Sequence, residues 1–218
     1  TVQNIEAMKI DAVVMRHPSP GSAKHLTKYI NSIVINAGDG AHEHPTQAIL
    51  DMTSLKERFG KIDDLKIGII GDIAHSRVAR SSIYGLTKMG AKIMVCGPPT
   101  LIPTEIMRLG VKVSHNIDEV LDWADAINVL RIQLERMDRG LIPSIREYRK
   151  LFGITNERLQ KHHKEIIIMH PGPMNRGVEI DSSVADGKSA IILDQVLNGV
   201  ASRMAILYLL LGGNQNES

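Results

Sequence analysis

Lys66-Ile67-Gly68-Ile69-Ile70-Gly71-Asp72 decides the fold. Ile67 to Ile70 is a continuous apolar run with no alternation, as expected of a strand covered on both faces. Strands of that kind belong to parallel sheets sandwiched between helices. The flanks agree. Gly71-Asp72 ends the run, a helical stretch spans about Ser76 to Met89, and Gly90 gives a stop signal. Lys92-Ile93-Met94-Val95-Cys96 then reads as the next strand, ending in Gly97-Pro98-Pro99.

Working outward towards the C-terminus, the alternation continues. A short helix leads to Val111-Lys112-Val113, and Ile117 to Trp123 is helical. Ala126-Ile127-Asn128-Val129-Leu130 is a strand ending at Arg131. Ile142 to Phe152 and Asn156 to His163 are helical, with His162-His163 expected on a solvated face. Ile166 to Met169 is a further strand, ending at His170-Pro171-Gly172-Pro173. The last helix carries Leu193, Val196, Leu197, Val200, Met204, Leu207 and Leu211 on one stripe, suited to packing back on the first segment.

Working back towards the N-terminus, Lys61 to Leu65 is a polar connector. Before it, Asp11 to Met15 reads as a strand ending at Arg16-His17-Pro18, and Ser19-Pro20-Gly21 as a turn. Ser22 to Ile30 is helical, Ile33 to Asn36 a strand, and Pro45 to Phe59 a helix stopped by Gly60. Strands alternating with helices indicate parallel sheets. The expected architecture is α/β, with two Rossmann-like domains. Residues 1–60 form the first, 61–192 the second, and 193–218 a C-terminal helix returning to the first. Thr1 is not an initiator Met, and residues 1–9 already read as a helix in progress, with Val2, Ile5 and Met8 at helical spacing. The first domain is therefore expected to be incomplete, with residues preceding Thr1.

Composition narrows the function classes. The chain has 218 residues, 43% apolar and 23% charged, the balance of a soluble globular protein. The net charge of +2 is spread along the chain, and no basic run interleaved with aromatics points to nucleic acid. The single Cys96 excludes an internal disulfide and fits a reducing cytoplasm. The apolar run Ala205 to Leu211, apart from the Tyr208 hydroxyl, is far short of the ~20 residues that span a bilayer.

The chemistry gathers at strand ends, where open α/β sheets bind ligands. Arg16 follows the first strand, and Asp72 and Arg77 the third. Arg131 and Gln133 follow a later strand, two apart and so facing the same way in extended chain. His170 to Pro173 follows the last. Arg offers a planar fork for carboxylate or phosphate, so several Arg in one crevice suit a small substrate with several negative groups. A single Arg at a strand end also serves as a surface ion-pair partner, and Asp72 could equally hold backbone or Arg77.

The stretch Gly38 to Gln47 adds a second feature. Pro45 fits the first helical position, which makes His44 the cap and Gln47 the third helical residue. Ala48, Met52, Leu55 and Phe59 give this helix a buried face. His44 and Gln47 share one side of the first turn, beside free backbone N–H groups and the positive end of the helix dipole. That suits an anionic substrate carrying a carbonyl; the alternative is a capping arrangement in which Gln47 reaches back to the chain. His42 and His44 form an H-x-H pair, but no further ligand falls at metal spacing. No G-x-G-x-x-G, P-loop or G-x-S-x-G is present.

Together these blocks resemble one family. They are Met15-Arg16-His17-Pro18, Asn36-Ala37-Gly38-Asp39-Gly40, His44-Pro45-Thr46-Gln47, Gly71-Asp72 with Ser76-Arg77, Arg131-Ile132-Gln133 with Glu135-Arg136, and His170-Pro171-Gly172-Pro173. Their order through the whole chain resembles the aspartate/ornithine carbamoyltransferases. The R-x-Q-x-E-R block, with Arg176 and Glu179 after the last, favours the aspartate branch.

The resemblance implies transfer of the carbamoyl group of carbamoyl phosphate to the amine of L-aspartate, a step of pyrimidine synthesis, with no metal or organic cofactor. It implies that Arg16 and His44 meet the carbonyl oxygen, with Arg16 also on the phosphate. Gln47 and the backbone around Pro171, Gly172 and Pro173 would hold the carbamoyl NH₂. Arg77 and Arg131 would grip the aspartate carboxylates, with Gln133, Asp72 and Arg136 supporting. A cytoplasmic homotrimer with shared sites is implied, with a regulatory chain or a dihydroorotase as possible associates. The family's phosphate-cradling Ser-Thr-Arg-Thr loop and a lysine loop precede the region matched here, so this stretch alone is expected to show little activity. Glu43 stands where many members have Gln, and it could favour a charged His44. Gly172 replaces a larger aliphatic residue.

Overall fold

The computed structural model describes residues 2–133 and 144–212. β3 (Lys66–Ile70) is the central strand of a five-stranded parallel sheet. The chain moves outward from it to β4 (Lys92–Cys96) and β5 (Lys112–Ser114). It then crosses back to the other side of β3, to β6 (Ala126–Val129) and β7 (Ile167–Met169). The winding reverses between β3 and β6, so the crevice beyond their carboxyl ends is the topological switch point.

The apolar run works as its composition predicts. Ile67, Ile69 and Ile70 are fully buried. Ile67 and Ile69 pack in one core cluster with Ile83 and Leu86 of α4 (Arg77–Lys88). Ile70 packs in the other with Val120 and Leu121 of α5 (Ile117–Trp123). Each such side chain contributes ~1.5–3 kcal/mol relative to exposure. Gly68 lies under α5, where a Cβ would meet Val120 Cγ1 at 2.6 Å, so the missing side chain lets the helix press onto the sheet. Ser76 caps α4 by accepting from Ala79 N (3.1 Å), and Asn116 caps α5 by accepting from Asp118 N (3.0 Å).

The first segment contains α1 (Val2–Glu6), α2 (Ser22–Leu26) and α3 (Pro45–Phe59). Between them β1 (Ala12–His17) and β2 (Ile33–Asp39) form a parallel pair, with Ala12 opposite Ile33. The apolar face expected on the opening helix is not a buried one, since Ile5 and Met8 are exposed.

Several segments depart from their sequence reading. The stretch before β5 is two 3₁₀ turns, Pro99–Leu101 and Ile106–Leu109, because Pro98, Pro99 and Pro103 prevent one continuous helix. α6 (Ile145–Phe152) is present, while the expected start at 142 lies outside the described residues. α7 spans only Asn156–Leu159. The His162 side chain is not solvated: it is largely covered, with Nδ1 2.6 Å from Asp122 Oδ1. A short α8 (Ser182–Ala185) was not legible.

α9 (Ile192–Leu211) does return to pack on α3, but with the opposite face from the one expected. Gln195, Asn198, Gly199 and Ser202 are its buried residues alongside Ile192. Leu193, Val196, Leu197, Val200 and Met204 are more than half exposed. Polar partners on α3 explain the choice. Asn198 Nδ2 donates to Ser54 Oγ (3.0 Å) and Glu57 Oε2 (2.6 Å), and Gln195 Nε2 donates to Asp51 Oδ1 (2.8 Å). Among the described residues no helix is long and apolar enough to cross a membrane.

Candidate active site

Five strand ends converge on one crevice of about 410 Å³. Arg16 enters from the end of β1 and the Gly40-Ala41 turn from the loop after β2. Asp72, His75, Ser76 and Arg77 come from the loop and first helical residue after β3. Leu130, Arg131 and Gln133 follow β6, and Pro171 to Pro173 follow β7. Arg131 and Gln133 line the crevice together while Ile132 between them is buried, as extended chain dictates.

Asp39 builds the turn after β2. It accepts from Gly21 N (2.6 Å), Asn36 Nδ2 (3.1 Å) and Glu43 N (3.0 Å), and its Oδ2 lies 3.1 Å from His42 Nδ1. Burial works against its charge, but these bonds outweigh that and hold the carboxyl below its usual range. The turn in turn seats Arg77. Arg77 Nη1 donates to Gly40 O (3.2 Å). Its guanidinium crosses Gly38, where a Cβ would lie 2.8 Å from Nε and where φ is +119°.

His44 is the N-cap residue of α3 and its backbone N–H donates to Ser81 Oγ (2.9 Å), but its ring does not cap the helix. The ring lies in the field of three cations. Burial first, then Arg77, Arg16 and Arg203, lower its pKa from 6.5 to about 4. His44 is therefore neutral at physiological pH. Nδ1 lies 3.4 Å from Thr46 Oγ1, and a hydroxyl donating there would leave Nε2 as the donor nitrogen. Glu43 does not favour the imidazolium: its Oε1 lies 3.8 Å from His42 Nε2, and it is directed to that ring instead. Arg77 is itself held below its usual range by burial and by Arg16, against which Asp39 acts.

Gln47 does not reach back to the chain. It is buried, and its Nε2 donates to Asp51 Oδ1 at 3.0 Å, one turn deeper in α3. The His170 turn is equally determined. His170 N–H donates to Gln195 Oε1 (2.9 Å), and Gly172 N–H donates to His170 Nδ1 (2.9 Å). His170 Nε2 lies 3.4 Å from Glu179 Oε1, both side chains fully buried. Asn175 then links Glu179 to the carbonyl of Ile132 (2.7 Å), tying this turn to the Arg131–Gln133 strand end. At Gly172 φ is +63° and a Cβ would meet nothing within 4 Å, so a side chain there has room but not the backbone it prefers.

Of the residues singled out from sequence, Arg16, Asp72, Arg77, Arg131, Gln133, Pro171, Gly172 and Pro173 line the crevice. His44 stands beside it, within the field of Arg16 and Arg77. Gln47 does not line it but is buried against Asp51, and Arg136, with Glu135, lies outside the described residues. His75 was missed. Its ring Nδ1 sits 2.8 Å from Asp72 Oδ1 and it lines the crevice. The buried set Asp51, Ser82, Asn128 and Gln195 was also missed, although Gln47, Asp51 and Ser54 form a polar stripe at helical spacing.

A doubly wound sheet with Arg16, Arg77 and Arg131 in the crevice at its switch point, walled by a second α/β segment, is the kind of site that suits a small polyanion. Comparison with known proteins narrows this. Residues 63–210 match the aspartate/ornithine carbamoyltransferase Asp/Orn binding domain, and residues 1–57 match the carbamoyl-P binding domain of the same family. The chain is 58% identical over 213 residues to the aspartate carbamoyltransferase catalytic subunit of Gemmatimonas aurantiaca, a match covering 98% of this chain and 67% of that one. Its structure superposes on aspartate transcarbamoylase from Trypanosoma cruzi in complex with carbamoyl phosphate, with a TM-score of 0.84 and 29% identity, covering 95% of this chain and 69% of that one. The catalytic subunit of the M. jannaschii aspartate transcarbamoylase gives 0.83 and 33%, covering 99% and 71%. The chain belongs to the aspartate/ornithine carbamoyltransferase family.

Proposed function

We propose that this protein transfers the carbamoyl group of carbamoyl phosphate to the amine of L-aspartate, giving N-carbamoyl-L-aspartate and phosphate. The observation that carries the reading is the convergence of Arg16, Arg77 and Arg131 on one crevice beside a neutral His44. Relatives 54–58% identical over nearly the whole chain are aspartate carbamoyltransferase catalytic subunits, which supports the same choice.

In this mechanism the neutral amine of aspartate attacks the carbonyl carbon. An N–C bond forms and negative charge grows on the carbonyl oxygen. Arg16 and the N–H of His44 are preorganised donors to that oxygen, a contribution of ~10²–10³ in rate per donor at comparable sites. The C–O bond to phosphate then breaks, and the amine proton passes to the departing phosphate. Because phosphate leaves as a stable anion, His44 serves as a donor and has no need to be an acid. Gln47 and the backbone of Pro171 to Pro173 hold the carbamoyl NH₂. Arg77 and Arg131, with Gln133, clamp the two carboxylates and fix the amine at attacking distance. Asp72 and Arg136 support these clamps. The division of labour follows the two segments: residues 1–60 serve carbamoyl phosphate, residues 61–192 serve aspartate, and the last helix joins them. We extend the reading to a homotrimer acting in pyrimidine synthesis in the cytoplasm, on family grounds.

The alternative acceptor is ornithine. Two arginine clamps suit a dicarboxylate better than a second ammonium group. The test is turnover of labelled carbamoyl phosphate by the intact protein with L-aspartate and L-ornithine in competition. Labelled carbamoyl aspartate is the expected product; labelled citrulline, or no transfer, would overturn the assignment.

A further inference from the structure

Asp51 carries a buried carboxylate that none of the steps above uses; it is 1% exposed and does not itself line the crevice. Four donors from four elements surround it. Gln47 Nε2 of α3 (3.0 Å) and Gln195 Nε2 of α9 (2.8 Å) share its Oδ1. Asn128 Nδ2 of β6 (3.1 Å) and Ser82 Oγ of α4 (3.5 Å) share its Oδ2. An ionised carboxylate accepts and cannot donate. Each amide facing it must therefore turn its NH₂ inward and its oxygen away. For Gln195 the outward oxygen receives the N–H of His170, at the head of the turn that carries Pro171 to Pro173. For Gln47 the outward oxygen is the acceptor that a carbamoyl NH₂ requires. A flipped Gln47 would present NH₂ to NH₂.

We propose that Asp51 is a positioning residue, whose buried carboxylate fixes the polarity of the Gln47 and Gln195 amides and through them both contacts to the carbamoyl NH₂. The proposal rests on the carbamoyl-transfer reading for what the two amides serve, but not for how they are held. It also couples both segments of the chain, because the donors come from residues 1–60 (Gln47), from 61–192 (Ser82 and Asn128) and from the last helix (Gln195).

Protonation would give the carboxyl a donor and release the constraint. The groups facing Asp51 from every element packed on it, Gln47, Ser82, Asn128 and Gln195, are all uncharged. Burial, opposed by those four bonds, pushes the carboxyl up to about 6. Binding of carbamoyl phosphate should therefore weaken as pH falls through that value.

The test compares the intact wild-type protein with Asp51→Asn. The variant should raise the carbamoyl phosphate KM and lower kcat by roughly tenfold to a hundredfold each, with aspartate KM within about twofold, because one oriented buried contact is lost. The acid limb of kcat/KM for carbamoyl phosphate near pH 6 should vanish, leaving only the fall near pH 4 that His44 sets. A folded variant with unchanged carbamoyl phosphate KM, or with the limb retained, would overturn the proposal. Side-chain amide NMR separates the two ideas. Slow-exchanging Gln47 and Gln195 NH₂ signals that lose protection in Asp51→Asn support the positioning role even if the wild type carries out a different reaction. Signals indifferent to the substitution would overturn it.

Discussion

His44 should titrate far below an ordinary histidine. The perturbation is acidification from pH 8 to pH 3.5. The structure places the ring in a partly buried position facing Arg77, Arg16 and Arg203, and sets its midpoint at about 4. At pH 7 the charged share is then about one in a thousand, against about one in four for an unperturbed imidazole. The assay is ¹⁵N NMR of the imidazole nitrogens, with His44 assigned through His44→Gln. A neutral single tautomer should persist to below pH 5, with the midpoint near 4. The consequence for stability has a definite sign. The unfolded chain takes up this proton near 6.5 and the folded one only near 4, so His44 supports the fold above 6.5 and that support is lost as pH falls towards 4. Binding a phosphate-bearing anion cancels part of the cationic field and should raise the midpoint. A midpoint at or above 6 in the free protein would refute the reasoning, because it would mean that neither burial nor the three arginines act on the ring as the geometry requires.

Three further outcomes follow. Arg131→Ala should raise the aspartate KM roughly tenfold to a hundredfold, as loss of a charge-assisted hydrogen-bonding partner does, while steady-state kinetics show carbamoyl phosphate KM nearly unchanged. Gly38→Ala should displace the Arg77 guanidinium that crosses it, so aspartate KM rises several-fold more than the melting temperature falls would suggest; an unaltered KM would contradict the seating of Arg77 on that turn. Asp51, raised to about 6 when folded, binds a proton more readily in the folded than in the unfolded chain. Denaturant titrations should therefore show wild-type stability falling relative to Asp51→Asn by roughly 3 kcal/mol between pH 4 and pH 6, and level above that.

The fold was legible where one chain segment carries its own signal. Lys66–Ile70, Lys92–Cys96, Pro45–Phe59 and Ile117–Trp123 lie where periodicity and stop signals put them, because short apolar runs and caps are local properties. The crevice was legible for a related reason: strand ends of a parallel sheet converge, so Arg16, Arg77, Arg131 and the Pro171–Pro173 turn could be grouped before their distances were known. What failed was the choice of helix face. Leu193, Val196 and Leu197 form the stronger apolar stripe on α9, yet Gln195, Asn198 and Ser202 face α3, because Asp51 and Ser54 offer hydrogen bonds there. Periodicity reports that a face is apolar and does not report which face a neighbour's polar groups will claim. The same blindness hid Asp51. A lone carboxylate in a helix reads as surface until the donors from α4, β6 and α9 are seen around it.

The central claim is that one crevice holds a carbamoyl phosphate group and a dicarboxylate side by side. It is tested most directly by the structure of the intact protein bound to a bisubstrate analogue that joins a phosphonate to aspartate. The account predicts the two carboxylates on Arg77 and Arg131, the analogue's carbonyl oxygen within hydrogen-bond reach of His44 and Arg16, and its amide near Gln47 and the Pro171–Gly172 backbone. An analogue seated away from this crevice, or carboxylates that leave Arg77 and Arg131 untouched, would contradict it.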